Sequence, residues 1–220
     1  MHLPDGFVSL PLSAGAFVVS AGVAAVAVRR AGETLGERQA PLLGVTAAYV
    51  FAAQMLNFPI AAGTSGHFLG AVLAALLLGP LNGFLVMALV LVMQCLLFQD
   101  GGLSALGLNL FNMGVAGGLG GYAVFRALRW VLPKTRAMTL LTAAVASWMS
   151  IVLASSACAL ELAASGTMPL VVALQAMTGV HAVIGIGEAL ITAATLSVVM
   201  AARPDLLHEI QGRRPLESYA

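Results

Sequence analysis

Charged side chains are scarce in this sequence of 220 residues: Asp, Glu, Lys and Arg make up 9% of the chain, and aromatic residues only 6%. Soluble domains carry about 25% charged residues. Hydrophobic residues reach 60% and the mean hydropathy is +0.98, which excludes a surface that faces water on all sides. The composition predicts an all-α, multi-pass membrane helix bundle in which 24 glycines help helices to pack closely.

The usual signatures of catalysis are also missing. The two cysteines, Cys95 and Cys158, lie in apolar runs, so neither a disulfide framework nor a cysteine zinc site is indicated. No phosphate-binding Gly-x-x-x-x-Gly-Lys-Ser/Thr loop and no nucleophile elbow occurs, and His208-Glu209 lacks the second histidine of a zinc protease. We therefore expect no enzyme and no ATP hydrolysis by this chain. A net charge of +1 without a basic patch indicates no nucleic-acid partner.

Apolar runs of about 20 residues, the length of one membrane span, predict seven helices. They lie near residues 9–28, 40–58, 66–79, 81–99, 105–128, 137–163 and 176–201. The third run is short and Gly79-Pro80 separates it from the fourth, so these two could form a buried hairpin instead of two full spans. We expect one transmembrane domain (1–202) with an outer N-terminal segment (1–8) and a short cytoplasmic tail (203–220).

The basic residues orient the predicted bundle. All ten fall in three places: Arg29, Arg30 and Arg38; Arg126, Arg129, Lys134 and Arg136; and Arg203, Arg213 and Arg214. Basic loops favour the cytoplasmic side, which predicts an outer N-terminus and a cytoplasmic C-terminus. The chain begins without the basic region of a signal peptide, so we expect none to be cleaved.

Three of the four histidines map to the outer end of this topology: His2, His67 and His181. They predict a metal site. The α-amine of Met1, the amide nitrogen of His2 and its imidazole can form consecutive chelate rings, and one further nitrogen completes a square plane, which Ni²⁺ and Cu²⁺ favour. The alternative is a frayed terminus.

Polar residues within or beside the apolar runs are candidates for orienting these imidazoles, because outer partners commonly fix the tautomer of a metal-binding histidine. They are Asp5, Gln54, Asn57, Ser65, Gln94, Asp100, Asn109 and Asn112. The alternative is ordinary hydrogen bonding between helices. Glu188, interpreted as the one acid deep in a span, is expected to bridge helices and not to bind metal. Gly44, Ala48 and Ala52 recur at four-residue spacing, which suits internal packing or contact with a partner membrane protein.

Several motifs together resemble a known family. They are Met1-His2-Leu3-Pro4-Asp5-Gly6-Phe7, Asn57-Phe58-Pro59-Ile60 with Gly63-Thr64-Ser65-Gly66-His67, Phe98-Gln99-Asp100-Gly101-Gly102, and His181-Ala182 with Gly185-Ile186-Gly187-Glu188-Ala189-Leu190. The sequence is similar to CbiM and NikM, the substrate-capture (S) components of cobalt/nickel energy-coupling-factor transporters. The resemblance implies ligands from the Met1 amine, the His2 amide and side chain, and His67, with His181 beside the ligands.

The resemblance also implies high-affinity capture of Co²⁺ or Ni²⁺ as substrate, without an organic cofactor, at the outer face of the plasma (inner) membrane. The implied partners are a transmembrane T component (CbiQ/NikQ type), contacted through Gly44, Ala48 and Ala52, two cytoplasmic ATPases (CbiO/NikO type) and a small accessory membrane protein (CbiN/NikN type). The ligands suit both metals. A stand-alone ion channel or secondary permease would need polar residues across the whole bilayer, and a membrane enzyme would need a catalytic constellation.

Overall fold

The computed structural model of the chain describes residues 1–36, 39–59 and 65–208. These residues are helical apart from two short antiparallel strands, β1 (Phe58–Pro59) and β2 (Ser65–Gly66). Seven continuous helical segments correspond to the seven predicted spans. They are α1 (Leu10–Thr34), α2 (Gln39–Gln54), α3 (Ala71–Leu78), α4 (Pro80–Phe98), α5 to α6 (Leu106–Leu110, the π-helix Phe111–Leu119 and Gly120–Val131), α7 (Arg136–Ala164), and α8 to α9 (Leu170–Leu174, the π-helix Gln175–Gly179 and Val180–Ala202).

Two predicted helix starts were wrong for local reasons. The third helix begins at Ala71 and not at residue 66, because Gly70 before it adopts a left-handed backbone (φ 74°) that a helix cannot contain. The seventh segment begins at Leu170, although the predicted span started near residue 176. Pro169 directly precedes it, a position where the missing N–H costs no helical hydrogen bond.

The short helix α3 forms the centre of the bundle. Every one of its eight residues is buried, and at about 1.5 Å per residue it is much too short to cross a bilayer about 30 Å thick. At its end, Gly79 has a left-handed backbone (φ 87°) and Pro80 opens α4, so the chain turns back at once. A Cβ on Gly83 would lie 2.7 Å from the Ala75 backbone nitrogen. The predicted hairpin turn is therefore confirmed and α3 is buried, but α4 (19 residues) is long enough to cross a membrane, so only one of the two helices is too short to span.

Among the described residues, four helices are long and apolar enough to cross a membrane: Leu10–Glu33, Pro80–Phe98, Arg136–Ala164 and Leu170–Ala202. The small residues predicted to allow close contact fall into two groups. A Cβ on Gly117 or Gly121 would collide with neighbouring helices, so these glycines serve internal packing. Gly44, Ala48 and Ala52 all lie exposed on the outside of α2.

The start of the C-terminal tail packs against the bundle. Leu207 is buried, and the His208 imidazole lies 2.9 Å from where a Cβ on Gly79 would stand. This end of the chain therefore covers the turn between α3 and α4. Arg38, Ile60, Gly63, Thr64, Glu209, Arg213 and Arg214, which entered the predictions above, lie outside the described residues.

Candidate metal centre

The N-terminal segment is buried at one end of the bundle, and not frayed. Met1 and Leu3 are fully buried and His2 is 3% exposed. The side-chain amide of Asn109 holds Leu3 like a neighbouring strand: its Oδ1 accepts from the Leu3 N–H at 2.8 Å, and its Nδ2 donates to the Leu3 carbonyl at 3.2 Å. The Gly102 N–H donates to the same carbonyl at 2.8 Å. These contacts fix Met1 and His2 among the helices.

Asp5 anchors the outer end of this segment. Its carboxylate accepts from the Ser104 N–H at 2.7 Å, from the Ser104 hydroxyl at 2.5 Å and from the Leu103 N–H at 3.2 Å. The hydrogen bonds from Ser104 lower the pKa of Asp5, so it stays ionised. A Cβ on Gly102 would lie 2.3 Å from the Asp5 nitrogen, so only glycine allows this approach. Asp5 thus secures the segment through this loop, and these bonds involve no imidazole.

A chain of amide hydrogen bonds sets the tautomer of His2. Gln54 donates its Nε2 hydrogen to the Leu69 carbonyl at 2.7 Å, which leaves Gln54 Oε1 to accept from Gln94 Nε2 at 3.0 Å. Gln94 Oε1 therefore accepts from His2 Nε2 at 3.1 Å. Because a backbone carbonyl can only accept, the direction of the whole chain is fixed. The ring proton of His2 lies on Nε2 and the lone pair on Nδ1.

The Nδ1 lone pair of His2 faces a carboxylate. Its distance to Asp100 Oδ1 is 3.3 Å, and Asn57 Nδ2 donates to Asp100 Oδ2 at 3.0 Å. Two acceptors at this distance repel one another unless a proton or a cation lies between them. Burial raises the pKa of Asp100, while the nearby Met1 amine and the bond from Asn57 act in the opposite direction. The pair therefore forms a place suited to a positive ion.

His67 presents a second imidazole lone pair at the same place. Its Nδ1 donates to the Phe68 carbonyl at 2.7 Å, so Nε2 carries the lone pair. This Nε2 is buried and has no hydrogen-bond partner among the described residues. The rings of His2 and His67 stack with centroids 4.6 Å apart and planes inclined by 30°. A buried acceptor without a partner is costly, which a bound metal ion would relieve.

His181 lies in the first turn of α9. It is fully buried, and its Nδ1 donates to the Met177 carbonyl at 2.6 Å, which puts the lone pair on Nε2. Met177 belongs to the π-helix Gln175–Gly179, and such segments are frequent at functional sites. The imidazole is close enough to His67 to act on it electrostatically.

Burial removes positive charge from the N-terminal nitrogens. It lowers the pKa of the Met1 amine to about 5, against which the Cys158 and Asp100 side chains act only weakly. Burial, assisted by the charge of that amine, lowers the pKa of His2 to about 3, although the bond to Gln94 acts in the opposite direction. Near neutral pH both groups are therefore deprotonated and able to bind metal.

These atoms make an unusual donor set. No cluster of three or more His, Cys, Asp or Glu side chains spaced for a metal occurs in the described part of the chain. Nitrogen donors are available from the Met1 amine, the His2 amide and Nδ1, and His67 Nε2. Such a set suits Co²⁺ or Ni²⁺ better than Mg²⁺ or Ca²⁺, which prefer oxygen ligands.

The other predicted residues divide into those near the site and those apart from it. Gln54, Asn57, Asp100 and Asn109 contact the N-terminal segment directly or through one another, whereas Ser65 contributes β2, where it pairs with Pro59. Asn112 does not join them, because its Nδ2 donates to Glu161 at 2.6 Å.

Glu161 corrects one interpretation of the sequence. Glu188 is not the single acid inside a span, since Glu161 on α7 is also buried, at 8% exposure. Its position within the predicted span 137–163 was the signal that should have revealed it. Glu188 does bridge helices through backbone partners, as expected: it accepts from the N–H groups of Leu69 and Gly70.

Comparison with known proteins agrees with this fold and site. The sequence model of a family described as the cobalt uptake substrate-specific transmembrane region, CbiM, matches residues 2–206. A protein of Haloquadratum walsbyi named for metal transport is 44% identical over 94% of this chain and 93% of its own length. A protein of Archaeoglobus fulgidus named as a fused nickel transport protein, NikMN, is 40% identical over 95% of this chain and 68% of its own length.

A solved structure gives the same answer for the fold. The crystal structure of a truncated transition metal transporter superimposes with a TM-score of 0.84 at 31% identity, covering 91% of this chain and 99% of the other. Composition, spans and similarity thus agree on a multi-pass membrane protein. The chain belongs to the CbiM family of cobalt and nickel transport components.

Proposed function

We propose that this protein captures Co²⁺ or Ni²⁺ with high affinity at the outer face of the membrane. The Met1 amine, the His2 amide nitrogen and Nδ1, and His67 Nε2 are the proposed ligands. The metal is the substrate of transport and not a resident cofactor.

One observation carries this proposal. The two stacked imidazoles are held in opposite tautomers, His2 with its lone pair on Nδ1 and His67 with its lone pair on Nε2. Nδ1 is the nitrogen of His2 that can close a chelate ring with its own amide nitrogen. The buried, deprotonated amine of Met1 extends that chelate. A square plane of nitrogens suits Ni²⁺, and selection between Ni²⁺ and Co²⁺ depends on geometry and supply.

The neighbouring polar groups have distinct proposed roles. Gln94 and Gln54 hold the tautomer of His2, and Asp100, fixed by Asn57, balances the charge of the ion. Asn109 and Asp5 keep the N-terminal segment in place, Ser65 belongs to the strand that leads to His67, and His181 supports the ligands. Such outer contacts commonly change metal affinity by about 10–100-fold when lost.

We further propose that the chain is the substrate-specific component of an energy-coupling-factor transporter in the plasma membrane. Its basic loops favour an outer N-terminus and a cytoplasmic C-terminus. The expected partners are the T component, two ATPases and an accessory protein of the CbiN/NikN type. The exposed Gly44, Ala48 and Ala52 on α2 support this helix as the T-component contact.

Reconstitution into liposomes tests this function. Uptake of ⁶³Ni²⁺ or ⁵⁷Co²⁺ should require this protein, its partners and ATP, while the protein alone should bind the metal without transporting it. The control is the His67→Ala variant with the same partners, which should take up no metal. Partner-independent, ATP-independent uptake by the wild type would instead support a secondary permease or channel.

A further inference from the structure

Glu188 on α9 holds the chain segment that carries His67. Its carboxylate is 2% exposed and accepts two backbone hydrogen bonds, from the Leu69 N–H at 2.8 Å and from the Gly70 N–H at 2.9 Å. Both amides precede α3, whose N-terminus has no side-chain cap of its own. The carboxylate thus accepts from N–H groups that have no acceptor within the helix.

Each of these amides is one end of a planar peptide group. The Leu69 N–H belongs to the same peptide as the Phe68 carbonyl, and that carbonyl accepts from His67 Nδ1 at 2.7 Å. A hydrogen-bond chain therefore leads from the His67 ring proton through one peptide group to Glu188 Oε2. The orientation of that peptide plane determines the position of the Phe68 carbonyl, to which the His67 ring donates.

The next peptide group belongs to a second series of hydrogen bonds. The Gly70 N–H shares its peptide with the Leu69 carbonyl, which accepts from Gln54 at 2.7 Å. Gln54 and Gln94 continue the chain to the Nε2 proton of His2. Each hydrogen bond in this series is donated in the direction of the glutamate, and the last acceptor is Glu188 Oε1.

From this arrangement we propose that Glu188 is a positioning residue that orients the two peptide groups whose carbonyls set the tautomers of His2 and His67. It is the shared acceptor at the end of the two chains. A carboxylate that accepts from one end of a peptide strengthens the acceptor at the other end. It thereby holds each ring proton on the nitrogen away from the ion and makes the opposite nitrogen a stronger ligand. This inference rests on the proposed ligand roles of His2 and His67.

The wild-type protein provides the first test, which needs no variant. The chain has only four histidines, so ¹⁵N-histidine labelling in nanodiscs resolves their tautomers by NMR. Without metal, His67 should carry its proton on Nδ1 and His2 on Nε2. The opposite tautomer at either ring would overturn the proposal.

The second test compares Glu188→Gln with two controls. A glutamine offers one acceptor where two are needed, so one of the two peptides should lose its orientation. At least one ring should then populate mixed tautomers, and Ni²⁺ affinity should fall by roughly 10–100-fold. Gln94→Leu interrupts only the His2 chain and should disturb His2 alone. Trp148→Phe removes another bond of α9, from Nε1 to the Ala182 carbonyl at 2.9 Å, and should leave the tautomers and affinity unchanged.

The outcomes separate the two proposals. Equal Ni²⁺ affinity in the wild type and in His67→Ala would reject the proposed ligand set. Tight wild-type binding that His67→Ala abolishes, together with unchanged tautomers and affinity in folded Glu188→Gln, would reject only the role of Glu188. If Glu188→Gln changes only the melting temperature, Glu188 contributes to packing alone and the proposal is likewise rejected. If Glu188→Gln does not fold, Glu188→Asp is the second variant, which keeps both oxygens but shortens their reach; unchanged tautomers and affinity in it would reject the role of Glu188.

Discussion

His2 stacks on His67, with ring centroids 4.6 Å apart, although 64 residues of the chain lie between them. The stacking brings the first residues of the protein onto the segment before its central helix. Neither ring offers its proton to the other: His2 donates to Gln94 and His67 to the Phe68 carbonyl. The following predictions depend on the proposal that the two acceptor nitrogens bind the ion.

The first prediction concerns the N-terminal amine. Adding one residue before Met1, or acetylating it, should abolish tight Ni²⁺ binding, because the amine is displaced or loses its basicity and Met1 has no exposed surface to accommodate an addition. Isothermal titration on purified protein measures the change, with a C-terminal tag as the harmless control. Full affinity in the extended protein would contradict the chelate.

The second prediction distinguishes a ligand from a supporting residue. His67→Ala should eliminate tight binding, since it removes a coordinating nitrogen, whereas His181→Ala should weaken binding by roughly 10–100-fold. His208→Ala, at Gly79 and far along the bundle, should change nothing. Complete loss in both His67→Ala and His181→Ala would mean that His181 also coordinates the ion.

The third prediction concerns space at Gly102. A methyl group there would lie 2.3 Å from the Asp5 nitrogen and 2.4 Å from Asp5 Oδ1, so Gly102→Ala should lift the N-terminal segment and weaken Ni²⁺ binding at least tenfold. The bundle should keep its melting temperature within a few degrees. Gly187→Ala, where a Cβ meets nothing within 4 Å, is the matched control; equal affinities for the two variants would refute this prediction.

The fourth prediction follows from the pKa of the Met1 amine, which burial lowers from 8.0 to about 5. The docked segment therefore binds fewer protons than the released segment between pH 5 and 8, and docking strengthens as pH rises through that window. Coordination of the His2 amide nitrogen releases another proton. Together these effects should lower Ni²⁺ affinity at least tenfold per pH unit between pH 8 and 6.

Titrations at constant ionic strength in two buffers of different ionisation enthalpy measure that affinity and the number of protons released. A site on carboxylate oxygens would respond differently. Asp5 has a lowered pKa and would already be ionised throughout the range. A flat affinity between pH 8 and 6 would contradict the nitrogen ligands.

Helix bounds were predictable where one apolar run of the sequence has the length of one membrane span. Residues 81–99 and 137–163 were placed to within one residue of α4 and α7, because one uninterrupted apolar run makes each helix. Gly79-Pro80 correctly indicated the hairpin, since both residues act locally. The start at Leu170 was missed because the apolar run was taken to begin near residue 176, without using Pro169 as the signal of a helix start.

The hydrogen-bond partners of the site could not be predicted. Gln54 and Gln94 were recognised as candidates, but nothing in their local sequence says that one donates to the other across 40 positions. Glu188 was expected to bridge helices, yet its two acceptor atoms meet consecutive peptides 118 and 119 positions away. Periodicity reports which side of a helix is apolar, and only the assembled bundle decides which polar groups meet.

The partners of the N-terminal segment also set an order of assembly. His2 and Leu3 bond to Gln94 and Asn109, which follow them by 92 and 106 positions. Closing so long a loop must wait until α4 and α5 exist, so the residues synthesised first cannot take their final place before the chain has passed Asn109. Metal binding would consequently report on a completed fold, and a chain arrested before Asn109 would have every proposed ligand and no site.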